Sequence, residues 1–298
     1  MKILVTGGSG FIGGATVAAL LNRGHDVINV DLQPAVHGER HYSVDVTDAA
    51  AVDEVFAAER PQRVIHLAAH ISVPVSVEQP RMDMVQNIGG SLNVLESSRK
   101  FGVERVLFAS SAAVYGNGAV PPIDEQTETV PVSPYGISKR AVEMYLTGFY
   151  CQWFSYAILR YANVYGPRQT PEGGAVIARF VEGAARHHAV QVFGDGLQTR
   201  DFVHVEDVAR VNALAIEHSN SVLLNVGSGV PVTVNDLVST LQSFMSRPLE
   251  VKHLPPRPGD IRDSYYRATQ VRDVLGWTPT ITLTDGLRQL YEMAVAER

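Results

Sequence analysis

Thr6-Gly7-Gly8-Ser9-Gly10-Phe11-Ile12-Gly13 follows a short β-branched run, residues 2–6, and opens an amphipathic stretch, residues 11–23. Gly7, Gly10 and Gly13 have the Gly-x-x-Gly-x-x-Gly spacing. The first glycine lets the chain turn tightly, and the second lets backbone approach a pyrophosphate. The third lets the helix pack close to the strand, with its N-terminal dipole facing the phosphates. Glycine-rich turns also occur without a ligand, so the strand–turn–helix context carries the reading. Phe11 and Ile12 belong to the same turn and count with the glycines as cofactor-binding. Asp31 ends the next strand pattern, 18 residues after Gly13. A carboxylate there accepts both ribose hydroxyls and repels a 2′-phosphate, which predicts NAD over NADP.

Outward from this motif, short apolar runs alternate with helical patterns, the mark of a parallel sheet covered by helices. The pattern predicts strands over 26–31, 42–45, 63–68, 105–111 and 155–166. Helices are predicted over 49–59, 82–101 and 134–150. Asp45 and Val46 close the third strand, where a side chain reaches an adenine edge. After Gly166 the rhythm changes. Helices are expected over 176–186, 206–218 and 234–245, with two more closing the chain. A short strand is expected over 190–193, and one over 223–226 that returns to the main sheet. The fold class is therefore α/β: a Rossmann-type doubly wound parallel sheet with a smaller, interleaved C-terminal substrate domain. Residues 1–166 form the NAD-binding domain, with returns near 195–230, and residues 167–298 are mainly the substrate domain.

Composition narrows the class. The chain is 45% hydrophobic and 19% charged, ordinary for a globular protein, and its formal net charge is −6. A nucleic-acid partner is not expected, because phosphate neutralisation calls for a basic surplus. One cysteine, Cys151, excludes an internal disulfide and a cysteine metal cluster and reads as an inert packing residue. The histidines lack metal-ligand spacing, so no metal site is expected. No apolar run approaches the ~20 residues of a membrane span. The glycine motif begins so early that no signal peptide is expected, and the cytoplasm is the expected compartment.

The chemistry lies at the fifth strand, which ends in Ser110-Ser111-Ala112-Ala113-Val114-Tyr115-Gly116. Tyr135-Gly136-Ile137-Ser138-Lys139 follows. Tyrosine and lysine at i and i+4 share a helix face. A nearby ammonium, like the positive nicotinamide of NAD⁺, lowers a tyrosine pKa by favouring the phenolate. Such a phenolate takes a proton from a sugar hydroxyl while hydride leaves its carbon. A serine at the sheet edge bridges the phenol and that oxygen.

With these motifs together the chain resembles the extended short-chain dehydrogenase/reductases, and among them the UDP-glucose (UDP-galactose) 4-epimerases. The resemblance spans nearly the whole chain. It rests on residues 6–13, His66-Leu67-Ala68-Ala69, Asn87, residues 110–116, 135–139, 160–169, 194–204 and 257–260. It implies that Ser111 is the catalytic serine, Tyr135 the acid/base, and Lys139 its partner and a cofactor-ribose ligand. Leu67, Ala68 and Ala69 join the cofactor site, the stretch Ala68-Ala69-His70 lining the pyrophosphate, and Asn87 supports that region. Asn163, Arg200 and Arg257 contact the diphosphate of a UDP-sugar, and two arginine forks suit that group. Asp260 accepts from the nucleoside ribose. Ser264 occupies a pocket position where a bulky tyrosine excludes N-acetylated sugars. Ala112 and Ala113 stand where sugar dehydratases carry an acidic pair.

The reading is an NAD-dependent 4-epimerase that interconverts UDP-glucose and UDP-galactose, and also the N-acetylated pair, through a transient 4-keto sugar. By resemblance it is a homodimer through residues 82–101 and 134–150. The alternatives are a nucleotide-sugar dehydratase, a net oxidoreductase, or a non-catalytic NAD-binding sensor. The intact serine, tyrosine and lysine argue against the sensor, which needs no proton relay.

Overall fold

In the computed structural model, which describes residues 1–171, 175–256 and 261–296, one parallel sheet of seven strands organises the chain. Across it the order is Val222–Val226, Ser155–Tyr161, Arg105–Ser111, Arg63–His66, Lys2–Thr6, Asp26–Val30 and Arg40–Tyr42. The chain builds from Lys2–Thr6 toward one edge, then returns and builds toward the other. The reversal lies between Lys2–Thr6 and Arg63–His66, paired from Ile3↔Arg63 to Thr6↔His66. In doubly wound sheets, ligands bind beyond the strand carboxyl ends at such a reversal.

The strands are apolar on both faces because helices cover both. Ile3, Val5, Ile65 and Leu107 point into one core layer with Val17, Leu20, Val208 and Val211. Leu4, Val64, Val106 and Phe108 point into the other with Val52, Phe56, Val94 and Val142. Alternation along a strand sends neighbours to opposite faces, and each run must therefore be apolar throughout. The helix Val205–Glu217 packs on Phe11–Asn22, and Asn212 donates to Thr16 Oγ1 at 3.0 Å. A helix from the second half thus covers the first half's sheet, and Val222–Val226 completes its edge.

A third core lies beyond the sheet. Val176–Ala185, Val234–Gln242 and Leu283–Ala296 bring together Ile177, Phe180, Leu237, Leu241 and Leu287. Val251–Leu254 pairs with Val190–Phe193. A small sheet joins Val232–Thr233, Thr199–Arg200 and Asp263–Ser264. Fully buried Trp277 donates to Asp207 O at 3.0 Å and anchors the closing segment.

The structure corrects the sequence reading at several places. The third strand is Arg40–Tyr42, not 42–45. Its ladder ends at Val30↔Tyr42, and Val44 N donates back to Tyr42 O at 3.1 Å, turning the chain toward the cleft. The run 155–166 is two strands. Ser155–Tyr161 stays in the main sheet, while Asn163–Tyr165 leaves it to pair with Phe202–His204. The expected helix 82–101 starts at Pro80 and is π-helical over Met84–Gly89. A helix at Val73–Glu78, capped by Ser72, was not expected. Cys151 is exposed, because the 3-10 turn Tyr150–Gln152 sends Tyr150 inward instead.

Candidate active site

A cleft of about 430 Å³ opens at the carboxyl ends of the central strands, at the reversal. Gly7, Gly10, Phe11, Ile12, Gly13, Asp31, Asp45, Val46, Leu67, Ala68, Ala69, Tyr135 and Lys139 all line it. Two glycines fix its floor. Gly7 has φ +71°, and a Cβ there would lie 2.7 Å from Ala68 N. A Cβ on Gly13 would lie 1.9 Å from Gly7 O, so only glycine lets the helix sit on the turn. The helix Phe11–Asn22 has Gly10 at its N-cap and no side-chain cap. Its first amides are therefore left for a ligand, and phosphate suits them in both charge and hydrogen bonding.

Asp31 is held rigidly at the rim. Its carboxylate accepts Ser9 N at 3.0 Å and Gln33 N at 2.8 Å, and it retains lone pairs for ribose hydroxyls. Asp45 is exposed, and its Oδ1 accepts both Thr47 N and Thr47 Oγ1 at 2.9 Å. Asn87 does not line the cleft. It is buried behind the loop, accepting His70 N at 2.8 Å and donating to His70 O at 2.9 Å. The glycine cradle, the uncapped helix and the fixed acid fit a dinucleotide.

The helix Pro134–Gly148 brings Tyr135 and Lys139 to the same cleft. Ser133 caps it by accepting Gly136 N at 3.1 Å, and Pro134 occupies its first position. Lys139 Nζ donates to Ala109 O at 2.9 Å and lies 5.8 Å from the Tyr135 ring centroid. Burial pushes Lys139 down to about 8, while Asp83 and Glu143 pull it upward. Burial pushes the Tyr135 phenol up. A hydrogen bond from Ser111 works against this, and Asp83 adds to it. This corrects the sequence expectation of a phenol lowered by lysine. Within the polypeptide, desolvation of the phenolate outweighs its stabilising neighbours.

The structure also separates the two serines. Ser111 faces Tyr135. Ser110 lines the cleft and donates to buried Glu143 at 2.5 Å. Glu143 accepts Arg160 Nε at 2.8 Å and Nη2 at 2.7 Å. Arg160 Nη1 donates to Tyr115 OH at 2.9 Å, which donates to Asn225 at 2.7 Å. This network pins the Tyr135 helix to three sheet strands. Sequence reasoning missed Glu143 and Asp83. Glu143 falls four residues after Lys139, on the same helix face, which was the available signal.

The expected sugar-nucleotide residues gather elsewhere. Ser264 pairs with Arg200 in the small sheet. Arg200 Nη1 donates to Thr199 O at 2.7 Å. Asn163, exposed, donates to Asp201 O at 3.2 Å. Arg257 and Asp260 lie outside the described residues. Tyr266 points into the core, edge-on to Tyr115 with centroids 6.0 Å apart. Nearby, a second cleft of about 510 Å³ is lined by Phe193, Asp195, Gln198, Leu254, Pro256 and Arg262. Arg262, which sequence reasoning passed over, is paired with Asp195 at 2.8 Å.

A Rossmann sheet with a tyrosine–lysine helix over a dinucleotide cleft defines a short-chain dehydrogenase/reductase architecture. The chain belongs to the NAD dependent epimerase/dehydratase family, whose model matches residues 3–227. A putative UDP-glucose 4-epimerase of Methanocaldococcus jannaschii is 38% identical over 97% of this chain and 96% of its own. The Thermotoga maritima UDP-glucose 4-epimerase, solved with UDP-glucose, has TM-score 0.92 and 41% identity, covering 98% of each chain. That of Thermus thermophilus, in complex with NAD, has TM-score 0.92 and 36% identity, covering 99% of each.

The buried ammonium has a measurable signature. Lys139 titrates near 8 in the folded chain and at 10.5 when exposed. Between those values the unfolded chain binds more protons, so this group's contribution to stability rises with pH. Lys139→Met removes it. The unfolding free energy of the variant minus that of wild type should fall between about pH 8 and pH 10.5, measured by urea titration. A difference independent of pH would contradict a depressed Lys139.

Proposed function

We propose that this chain is an NAD-dependent nucleotide-sugar 4-epimerase. It interconverts UDP-glucose and UDP-galactose, and the N-acetylated pair, through a transient 4-keto sugar. The observation that carries the reading is the convergence of Tyr135 and Lys139 at a cleft floored by Gly7, Gly10 and Gly13, with Ser111 against the Tyr135 phenol.

Gly7 to Gly13 and Leu67 to Ala69 hold the cofactor pyrophosphate, Asp31 its adenosine ribose, Asp45 and Val46 its adenine edge, and Asn87 braces the loop. Bound there, NAD supplies a positively charged nicotinamide that accepts and returns hydride. Lys139 holds a ribose and sets its charge beside the phenol. Tyr135 takes the sugar O4 proton as the C4–H bond breaks. Ser111 bridges the phenol and O4, so the proton moves along a preformed hydrogen bond. Tyr135 would return the proton to O4 once the 4-keto sugar has turned its other face to the cleft. Asn163, Arg200, Arg257 and Asp260 hold the UDP moiety, and Ser264 leaves room for an acetamido group. Residues 1–166 with their later returns thus serve the cofactor, and residues 167–298 mainly the sugar nucleotide. Ala112 and Ala113, in the 3-10 turn after Ser111, offer no acid for eliminating water, which favours epimerisation over dehydration.

We also propose a cytoplasmic homodimer. Met84 and Val85 on the segment within 82–101, Val77 on the short helix before it, and Ile137, Met144 and Tyr145 on the Tyr135 helix are exposed apolar side chains. Apolar surface gathered on neighbouring helices is the usual mark of a symmetric interface.

Two outcomes are expected. Wild type should convert UDP-glucose and UDP-N-acetylglucosamine to their C4 epimers without added reductant, as product chromatography would show. Tyr135→Phe should lose at least ~10²-fold in turnover with its fold retained. Near-normal turnover by this variant removes Tyr135 from the mechanism, and an inert acetylated sugar removes Ser264 as the permissive position. In sedimentation, wild type should run as a dimer and Met144→Glu as a folded monomer. A monomeric wild type contradicts the proposed interface.

A further inference from the structure

Lys139 lies in the fields of two buried carboxylates, and they are not equivalent. Glu143 is neutralised in place: Arg160 contacts it at 2.7 Å and Arg140 at 3.2 Å. Asp83 is also wholly buried, yet its close hydrogen bonds come from neutral donors. Ser138 Oγ donates to Asp83 Oδ2 at 2.5 Å, and Asn87 Nδ2 donates to Oδ1 at 2.8 Å. His70 Nδ1 stands 3.9 Å from Oδ1, beyond hydrogen-bond range. A buried carboxylate needs compensating charge. Lys139, next to Ser138 on the catalytic helix, supplies it through space.

Asp83 therefore touches both halves of the site. Through Ser138 it grips the turn that bears Tyr135 and Lys139. Through Asn87 it reaches the loop at His70, whose backbone N and O are both held by the Asn87 amide. We infer that Asp83 is a positioning residue, a buried carboxylate that locks the helix of Tyr135 and Lys139 to the loop at His70 and sets its charge toward that pair. The inference rests on the roles proposed for Tyr135 and Lys139.

The charged and titratable groups facing this centre set the direction of its effect. Lys139 faces Asp83, Glu143 and the Tyr135 ring, and it bears on neutral His66, which burial lowers to about 3. Tyr135 faces Ser111 and Asp83. Asp83 raises Lys139 as its opposite charge and raises Tyr135 by opposing a phenolate. Removing that charge lowers both. Turnover needs the phenolate and the ammonium together, so the two limbs of the profile report the pair jointly, and both should move to lower pH.

The test is the pH profile of epimerisation by the NAD-loaded enzyme, with NAD release followed by fluorescence. Asp83→Asn keeps shape and loses charge. Its profile should shift down by about 1 pH unit, the low end for a nearby charge, and its NAD should leave faster. Ser138→Ala loses the hydrogen bond and keeps the charge. It should lower turnover with both limbs in place. A folded Asp83→Asn with the wild-type profile overturns the inference. If Asp83→Asn does not fold, Ser138→Ala and Asp83→Glu carry the test: both must keep the wild-type limbs while losing turnover, and a displaced limb in either overturns it. A wild-type profile in Asp83→Asn together with an inactive Tyr135→Phe defeats only this inference. An active Tyr135→Phe defeats the reading of the site itself.

Discussion

An ammonium buried beneath a tyrosine is the constraint around which this structure is arranged. Lys139 is 5% exposed, and burial works against its charge, lowering it to about 8. The chain answers with a carbonyl at 2.9 Å, two buried carboxylates and the faces of Phe108 and Tyr135. Each of these comes from a different place. Ala109 and Phe108 end a central strand, Glu143 is on the same helix, and Asp83 is on the preceding one. Holding one charge in place therefore fixes the strand, both helices and the serine that faces the phenol.

The cofactor side obeys a steric constraint where the catalytic side obeys an electrostatic one. Gly7 and Gly13 leave no space for a methyl group, which seats the helix N-terminus on the end of the first strand. The sheet reversal then opens a crevice where amides, Asp31 and the tyrosine–lysine helix meet. Arg160 ties the Tyr135 helix to the edge of the sheet. Its guanidinium joins Glu143 to Tyr115, and Tyr115 joins Asn225 on the returning edge strand.

Most of the sheet was legible because buried parallel strands announce themselves as apolar runs between glycines. The glycine turn, Asp31 and the tyrosine–lysine pair were legible for a different reason: their chemistry needs fixed local spacing. What escaped was decided by distant partners. Ser155–Tyr161 and Asn163–Tyr165 read as one strand, because only pairing with Phe202–His204 divides them. Residues 42–45 look extended, but the ladder to Ile28–Val30 is used up at Tyr42. Asp83 looked like any acid early in a helix. Its importance comes from a hydrogen bond to Ser138, 55 residues later. The phenol's raised pKa was equally hidden, since burial is a property of the folded molecule.

On the proposed reading, Tyr135, Ser111 and Lys139 serve a reversible oxidation at the sugar's C4, with hydride held inside the protein. Turnover of UDP-glucose deuterated at C4, read by mass spectrometry and NMR, tests it most directly. The expected product is UDP-galactose that keeps its deuterium at C4, with no wash-out into water and no accumulation of reduced cofactor. Loss of the label to solvent, or reduced cofactor formed in step with product, would contradict it.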